Sequence, residues 1–272
     1  MTPPEASPSA LTVLRAVARG AGSLAPVHAA LGTVLDTVEP GLAVARVPRL
    51  PPHRLRGPGV VPVLGDLVLS AAITSSLAAG LRISTLTLHT AMLGPLPQAG
   101  EPLVARAELV APCGGTAVSR GEVYAADGRL VAQVGARCAV LPSGGGGALF
   151  HDPVDPDLFA ALGPDLCAAA TLANSAGGVQ GGVLAAVVGH RIAEALDAPD
   201  SVACDHDVTF VRSVAADGAG MAVEVEVRHG GRRLVAADAR LRDSGGRVAV
   251  LAAATVWQPE SPIRHSHDGE SP

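Results

Sequence analysis

Two stretches of this chain have the same pattern: SAGGVQGGVLAAVVGH at residues 175–190 and HRLRGPGVVPVLGDLV at residues 53–68. Each stretch has a turn of small residues followed by an apolar run without strand punctuation, which is typical of a buried helix. A phrase that occurs twice in 272 residues indicates an internal repeat, and an internal repeat determines how the rest of the chain is interpreted.

The two copies are incomplete in opposite ways. When the phrases are aligned, Gly181 of the second copy corresponds to Pro58 of the first, and Gly189 corresponds to Asp66. The second copy therefore keeps a backbone N–H at the helix start but has no acid, whereas the first copy keeps the acid but has a proline, which has no N–H.

The segments around the two phrases repeat as well. HAALGTVLDTVEPG, from His28, corresponds to FAALGPDLCAAATL, from Phe159. We predict two domains with a Gly- and Pro-rich linker between them. The predicted units are an N-terminal tail or short helix (1–23), domain 1 (24–142), the linker (143–156), domain 2 (157–258) and a disordered tail (259–272).

The hydrophobic period changes within each half. The apolar segments 60–79 and 183–196 have helical length, whereas 105–111 and 221–231 alternate apolar and polar residues as half-buried antiparallel strands do. Each half is therefore predicted to be one long helix followed by four or five antiparallel strands, an α+β fold. A helix with few charges is best explained by a sheet wrapped around it.

Composition excludes several functions. A net charge of −5 argues against a nucleic-acid partner. The four cysteines form no CxxC pair, and CDHD (204–207) and HSH (265–267) are too short for a site, so we expect no metal and no cofactor. The N-terminus lacks a signal-peptide pattern, and Asp66 and Pro62 interrupt the most apolar stretch, so we expect a cytoplasmic protein without a membrane partner.

Each half resembles a hot-dog fold domain of the acyl-CoA thioesterase superfamily, of the phenylacetate-pathway type. The family phrase is Asn, five residues, His-Gly-Gly, six residues, then Asp or Glu. The second half matches it at Asn174, Gly181 and Gly182 and departs from it at Gln180 and Gly189. The resemblance implies a tandem double hot-dog, with two long central helices each wrapped by an antiparallel β-sheet.

The first half shares other parts of the phrase. It matches at Gly59 and Asp66 and departs at Pro51, Gly57 and Pro58. The resemblance implies that a helix N-terminal N–H polarises the thioester carbonyl while the acid serves as base or nucleophile. Eight residues separate these two positions, which is roughly 12 Å along one helix. One helix therefore cannot bring both groups to one carbonyl.

The family pairs two such helices antiparallel, and each site takes its N–H from one helix and its acid from the other. One site would then combine Asn174 and the Gly181 N–H with Asp66, and all its parts are present. The other would combine Pro58 with Gly189 and would lack both the N–H and the acid. We therefore predict a fused pseudo-dimer with one working site.

Four further residues are predicted to bind substrate or water. Ser70 lies one turn beyond Asp66, Ser84 begins the next strand, and Gln180 and Gly182 flank the oxyanion position. Plainer roles remain open: Asp66 as a partly exposed helix residue, the glycines as a tight turn, and Asn174 as a turn residue. Three arginines fit either CoA phosphates or a solvated strand edge: Arg228, Arg232 and Arg233.

The leading hypothesis is a cofactor-independent hydrolase that cleaves an acyl-CoA or aryl-CoA thioester to a carboxylic acid and CoA. A non-catalytic acyl-CoA-binding protein of the same fold is the first alternative. An enoyl-CoA hydratase-like enzyme is the second, but that branch has a His five residues after its Asp, and Ala71 and Glu194 stand at those positions. A homo-oligomer, most simply a homodimer, is expected.

Overall fold

The computed structural model describes residues 9–51, 58–143, 167–196 and 203–257. The predicted linker lies outside this part of the chain except for Ser143, and so do the start of the predicted second domain and the C-terminal tail. The predictions for those segments therefore stay predictions.

Four α-helices and one short 3-10 helix occur in the described residues. α1 lies in the N-terminal segment predicted as a tail or short helix, and the Ser9 side chain caps its first turn. α3 and α4 start within the two glycine phrases, as predicted. The helices are α1 (Ala10–Ala18), α2 (Pro26–Ala30), α3 (Val61–Thr74), α4 (Gly181–Ala195) and the 3-10 helix (Ala170–Leu172).

Within the described residues, the strands form one ten-stranded antiparallel sheet. Its order is β1-β2-β4-β5-β6-β3-β7-β10-β9-β8. The strands are β1 (Val34–Glu39), β2 (Leu42–Val47), β3 (Leu81–Met92), β4 (Leu103–Cys113), β5 (Thr116–Ala125), β6 (Leu130–Pro142), β7 (Ala203–Phe210), β8 (Ala222–Gly230), β9 (Leu234–Arg242) and β10 (Val248–Trp257).

The two halves join in the middle of this sheet. β3 of the first half pairs with β7 of the second, from Thr87 opposite Thr209 to Ala91 opposite Asp205, so the sheet is continuous across both halves. The prediction of a helix followed by strands is incomplete for the first half, because β1 and β2 precede α3.

Each long helix packs on the strands of its own half. α3 lies against β2, β4, β5 and β6, and α4 lies against β8, β9 and β10. The two helices also pack on each other. The sheet covers one side of α3, and α4 covers another side. Nearly all residues of α3 are therefore buried, which explains why this helix is apolar all round.

The two long helices run antiparallel. From Pro58 to Asp66 along the first phrase, the neighbouring residue of the second phrase changes from Gly189 back to Gly181. The approach is closest at Gly182, where a Cβ would lie 2.3 Å from the Pro62 carbonyl oxygen. Only a glycine permits this contact, which brings the N-terminus of α4 against the middle of α3.

Candidate active site

Asp66 lies where α3 meets the N-terminus of α4, and only 4% of its surface is exposed. The Thr85 hydroxyl of β3 donates to Asp66 Oδ1 at 3.1 Å. The Gln180 amide, which immediately precedes α4, donates through Nε2 to Asp66 Oδ2 at 2.6 Å. The carboxylate of the first half is therefore held by a side chain of the second half.

Two further donors complete the surroundings of this carboxylate. The Gly182 N–H donates to Asp66 Oδ2 at 3.1 Å, and the Ser70 hydroxyl, one turn along α3, also hydrogen-bonds to the carboxylate. Burial raises the pKa of Asp66 above its ordinary value, while the hydrogen bonds, that from Gly182 foremost, act in the lowering direction. A buried carboxylate with four donors is stabilised chiefly by hydrogen bonding.

The orientation of the Gln180 amide is fixed by its second task. Gln180 is the N-cap of α4, and its Oε1 accepts from the Val183 N–H at 2.9 Å. Because the oxygen of the amide faces the helix, the NH₂ group faces Asp66. Helix capping therefore ensures that a donor points at the carboxylate.

Gly181 occupies the first position of α4, next to this carboxylate. A Cβ at Gly181 would lie 3.2 Å from Asp66 Oδ2 and 3.4 Å from the tip of the Phe210 ring. The N–H groups of Gly182, Val183 and Leu184 have acceptors, whereas the Gly181 N–H has none among the described residues. It is an unused donor at the positive end of a 15-residue helix.

Two residues predicted to bind substrate, Gln180 and Gly182, both donate to Asp66, and their contact with substrate stays a prediction. Asn174, predicted as catalytic, closes a turn: its Oδ1 accepts from the Ala176 N–H at 2.8 Å and the Gly178 N–H at 3.2 Å. In the described residues, no hydrogen bond joins Asn174 to Asp66. Asn174 thus stabilises the turn before α4, and its predicted catalytic role stays a prediction.

Ser84 does not lie at the site, and Thr85 takes the place predicted for it. Ser84 is exposed, whereas Thr85 contacts Asp66. The cause is a β-bulge between Thr85 and Thr87 in the pairing of β3 with β6. Counting back in twos from buried Leu88 places Ser84 on the inner face, but the extra residue of the bulge reverses the two faces.

Cys138 lies behind Thr85 on the neighbouring strand. The two residues are direct partners in the β3–β6 pairing, and the buried Cys138 thiol lies 3.9 Å from the Thr85 hydroxyl oxygen. Burial raises the pKa of this thiol to about 12, so it is not a nucleophile at neutral pH. Cys138 therefore contacts Thr85, which in turn donates to Asp66.

At the other end of the α3–α4 pair, the equivalent corner, formed by Pro58 and Gly189, is filled by side-chain atoms. A Cβ at Gly189, which aligns with Asp66, would lie 2.7 Å from the Pro58 ring. It would also lie 3.3 Å from Cε1 of His206, a histidine that is only 1% exposed. Hydrocarbon atoms of Pro58 therefore fill this corner, and it has neither an acid at position 189 nor an N–H at position 58.

The other predictions concern ions and membranes. No group of three His, Cys, Asp or Glu side chains in the described residues is arranged to hold a metal ion, and HSH lies outside those residues. Arg228 forms an ion pair with Asp238 across β8 and β9 at 2.8 Å. Among the described residues, no helix has the length and apolarity needed to span a membrane.

Comparison with known proteins finds similarity in structure but not in sequence. No family model matches the sequence, and no curated protein matches it either. Among solved structures, the tesB protein of Mycobacterium avium subspecies paratuberculosis superimposes with a TM-score of 0.59 at 16% identity, over 87% of this chain and 99% of that one.

Two acyl-carrier-protein thioesterases also superimpose over most of their length. The 12:0-ACP thioesterase of Umbellularia californica has a TM-score of 0.52 at 12% identity and covers 80% of this chain and 94% of its own. An acyl-ACP thioesterase of Bacteroides thetaiotaomicron has a TM-score of 0.52 at 11% identity, covering 79% and 97%. The chain therefore has the hot-dog fold of these proteins.

Proposed function

We propose that this chain is a thioester hydrolase built from two fused hot-dog units, with one composite active site where α3 meets α4. The observation that carries the proposal is the pairing of buried Asp66 from the first half with the unused Gly181 N–H from the second. Hydrolysis of a thioester needs a base and a donor for the oxyanion, and here the two lie side by side. The thioesterases of similar fold support the same class of reaction.

Asp66 serves best as a general base. A carboxylate that attacked the carbonyl itself would have to give up hydrogen bonds from several of its four donors, two of which are fixed by α4. Removing a proton from water needs a smaller change, because the hydroxyls of Ser70 and Thr85 are free to rotate and admit a water beside Oδ1. We therefore assign Asp66 to activate water, and Thr85, Gln180 and Gly182 to position Asp66.

The proposed reaction has two steps. Asp66 takes a proton from water as the water oxygen bonds to the thioester carbon, and the Gly181 N–H stabilises the resulting oxyanion. The tetrahedral intermediate then expels the thiolate, which takes the proton from Asp66, and the carboxylic acid is released. Acyl-CoA and acyl-carrier-protein thioesters both have the thioester that this chemistry requires.

The test is thiol release from a panel of acyl-CoA and aryl-CoA thioesters by the wild type and by Asp66→Asn. Asparagine fits the same space: its oxygen accepts from Gln180 and Gly182, and its NH₂ donates to the Ser70 and Thr85 hydroxyls. Turnover is expected to fall by about 10²-fold or more. Asp127→Asn, in the β5–β6 turn, is the matched control and is expected to keep wild-type turnover.

Two results would contradict the proposal. If the wild type cleaves no thioester but binds CoA esters in calorimetry, the chain is an acyl-CoA-binding protein. If Asp66→Asn keeps the wild-type rate, Asp66 is not the base. Because the base must be ionised and its pKa is raised, kcat/KM is also expected to decline on the acid side at a higher pH than an ordinary aspartate would give.

A further inference from the structure

Phe210 lies beside the proposed site and has no part in the proposed reaction. It is the last residue of β7 and is half-buried against the core. The ring tip Cζ lies 3.4 Å from the point where a Cβ of Gly181 would be, and Asp66 Oδ2 lies 3.2 Å from the same point. The acid and the aromatic ring therefore both border the space next to Gly181.

An aromatic ring at this position is unusual in this chain, which has only 2% aromatic residues. Within the described residues the others are Tyr124 and Trp257. Tyr124 shares the outer face of β5 with Glu122, to which it hydrogen-bonds, and Trp257 is 46% exposed. In the described part of the chain, Phe210 is thus the only aromatic side chain beside the core helices, and it lies at the site.

We propose that Phe210 is a specificity-determining residue that selects acyl groups unbranched at the carbon next to the carbonyl. This inference rests on the proposed function. With the carbonyl oxygen on the Gly181 N–H, the carbonyl carbon has two substituents, the acyl carbon and the sulfur. The thiol continues into a long polar group that must reach solvent, so the apolar acyl carbon is the one that meets the half-buried ring.

The available space sets the selectivity. A carbon at the Cβ position of Gly181 already touches the ring tip at 3.4 Å, which is ordinary van der Waals contact. An acyl carbon at that point therefore has no room for a methyl branch on the side of the ring. A site whose wall discriminates by one methyl group typically favours the smaller substrate by about 10–200-fold. Straight acyl chains fit this corner, and an acyl group with a methyl branch at that carbon meets the ring.

The experiment compares kcat/KM for butyryl-CoA and 2-methylbutyryl-CoA, and for butyryl-pantetheine as a thiol control. Phe210→Leu shortens the ring and is expected to raise the branched-to-straight ratio about 10-fold. Phe210→Tyr places a hydroxyl at the ring tip and is expected to lower the same ratio. Val211→Ala, at the adjacent position that is 49% exposed, is expected to leave the ratio unchanged, and none of the three to shift the CoA-to-pantetheine ratio.

The results separate this inference from the function on which it rests. If the wild type cleaves no thioester, the proposed function fails and this inference fails with it. If the wild type cleaves butyryl-CoA but Phe210→Leu leaves the acyl ratio unchanged, or shifts the CoA-to-pantetheine ratio instead, only the inference is overturned. Should Phe210→Leu fail to fold by thermal melting, Phe210→Tyr decides alone, and an unchanged or raised ratio overturns the inference.

Discussion

The two ends of the α3–α4 pair differ in what fills the space between the helices. At one end the Asp66 carboxylate lies beside Gly181, with four donors around it and an unused N–H next to it. At the other end the Pro58 ring packs against Gly189. The same helix crossing therefore gives a polar corner at one end and a hydrocarbon contact at the other.

The proposed fused repeat would differ in one respect from a dimer of two identical subunits. In a symmetric dimer one sequence must serve both corners, so a proline at one corner appears at the other as well. Fusion lets each copy change alone. Here position 66 has an acid and position 189 has none, whereas position 181 has an N–H and position 58 has none. The acid and the N–H belong to the same corner.

We expect the largest effect on turnover when the Gly181 N–H is removed from the polar corner. Gly181→Pro deletes the N–H at the first helical position, where proline is tolerated, and should lower turnover by about 10²–10³-fold. Pro58→Gly, the equivalent change at the other corner, should leave turnover at the wild-type value. The measurement is steady-state thiol release with both variants checked for folding by circular dichroism.

Gly181→Ala is the control for the space that proline also fills. It keeps the N–H and adds only a methyl group 3.2 Å from Asp66 Oδ2. A loss with proline that far exceeds the loss with alanine assigns the effect to the N–H. Equal losses from Gly181→Pro and Pro58→Gly would contradict the pairing of Asp66 with the second half.

The next effect is on stability. At Gly182 a Cβ would lie 2.3 Å from the Pro62 carbonyl oxygen and 2.6 Å from Val63 Cα, both backbone atoms. Gly182→Ala must therefore push the helices apart and should lower the free energy of unfolding by about 3 kcal/mol or more. At Gly189 the added methyl would meet side chains instead, the Pro58 ring at 2.7 Å and His206 Cε1 at 3.3 Å, so Gly189→Ala should cost about 1–3 kcal/mol.

Urea denaturation measures both changes. Combining Gly189→Ala with Pro58→Ala removes the ring that the new methyl group meets, so the double variant should lose less stability than the sum of the two single variants. Strict additivity would show that the ring does not fill this corner in solution.

The closed corner also predicts a pH effect. His206 is buried there, and neither of its ring nitrogens has a hydrogen-bond partner in the described part of the chain. Burial lowers its pKa from 6.5 to about 4. Between these values the unfolded chain binds a proton that the folded chain does not, so stability is full above pH 6.5 and is lost as the pH falls toward 4, by on the order of 3 kcal/mol.

His206→Leu removes this titration and should flatten part of the acid side of the stability curve. Buried His28 has the same lowered pKa, so a similar slope from His28 should remain. Urea midpoints at pH 7, 6, 5 and 4 test this. A slope in His206→Leu identical to that of the wild type would show that His206 is already protonated or exposed in the folded protein.

Sequence reasoning predicted the features that depend on residue identity and spacing. Given the family resemblance, the eight-residue gap between the N–H position and the acid predicted a site shared by two helices, and the structure brings Asp66 next to Gly181 and Pro58 next to Gly189. That only the first of these corners is catalytic stays a prediction. The sequence does not determine which face of a strand a residue occupies or which distant residue it contacts. Whether Ser84 or Thr85 faces Asp66 depends on one β-bulge, and the sequence ISTLTL at residues 83–88 gives no sign of where the extra residue falls.

The roles of Gln180 and Gly182 were beyond sequence reasoning for a related reason. Both residues touch Asp66 only because α4 passes within contact distance of α3 at Gly182. No local pattern encodes which carboxylate of a distant segment, 114 residues away, will meet a given amide. Asn174 shows the converse, because its position in the phrase was right while its side chain serves the backbone of its own loop.

The smallest expected effect comes from trying to restore the closed corner. Gly189→Asp combined with Pro58→Gly supplies an acid and an N–H, yet we expect turnover per chain to stay at the wild-type value. In the proposed mechanism the polar corner uses an acid that Gln180 and Thr85 hold in place, and the residue aligned with Gln180 in the first phrase is Gly57, which has no side chain to donate. The new acid would also begin 3.3 Å from His206. Titration with a non-hydrolysable CoA thioester analogue should accordingly saturate at one site per chain in the wild type and in the double variant, and two sites in the wild type would contradict the asymmetry.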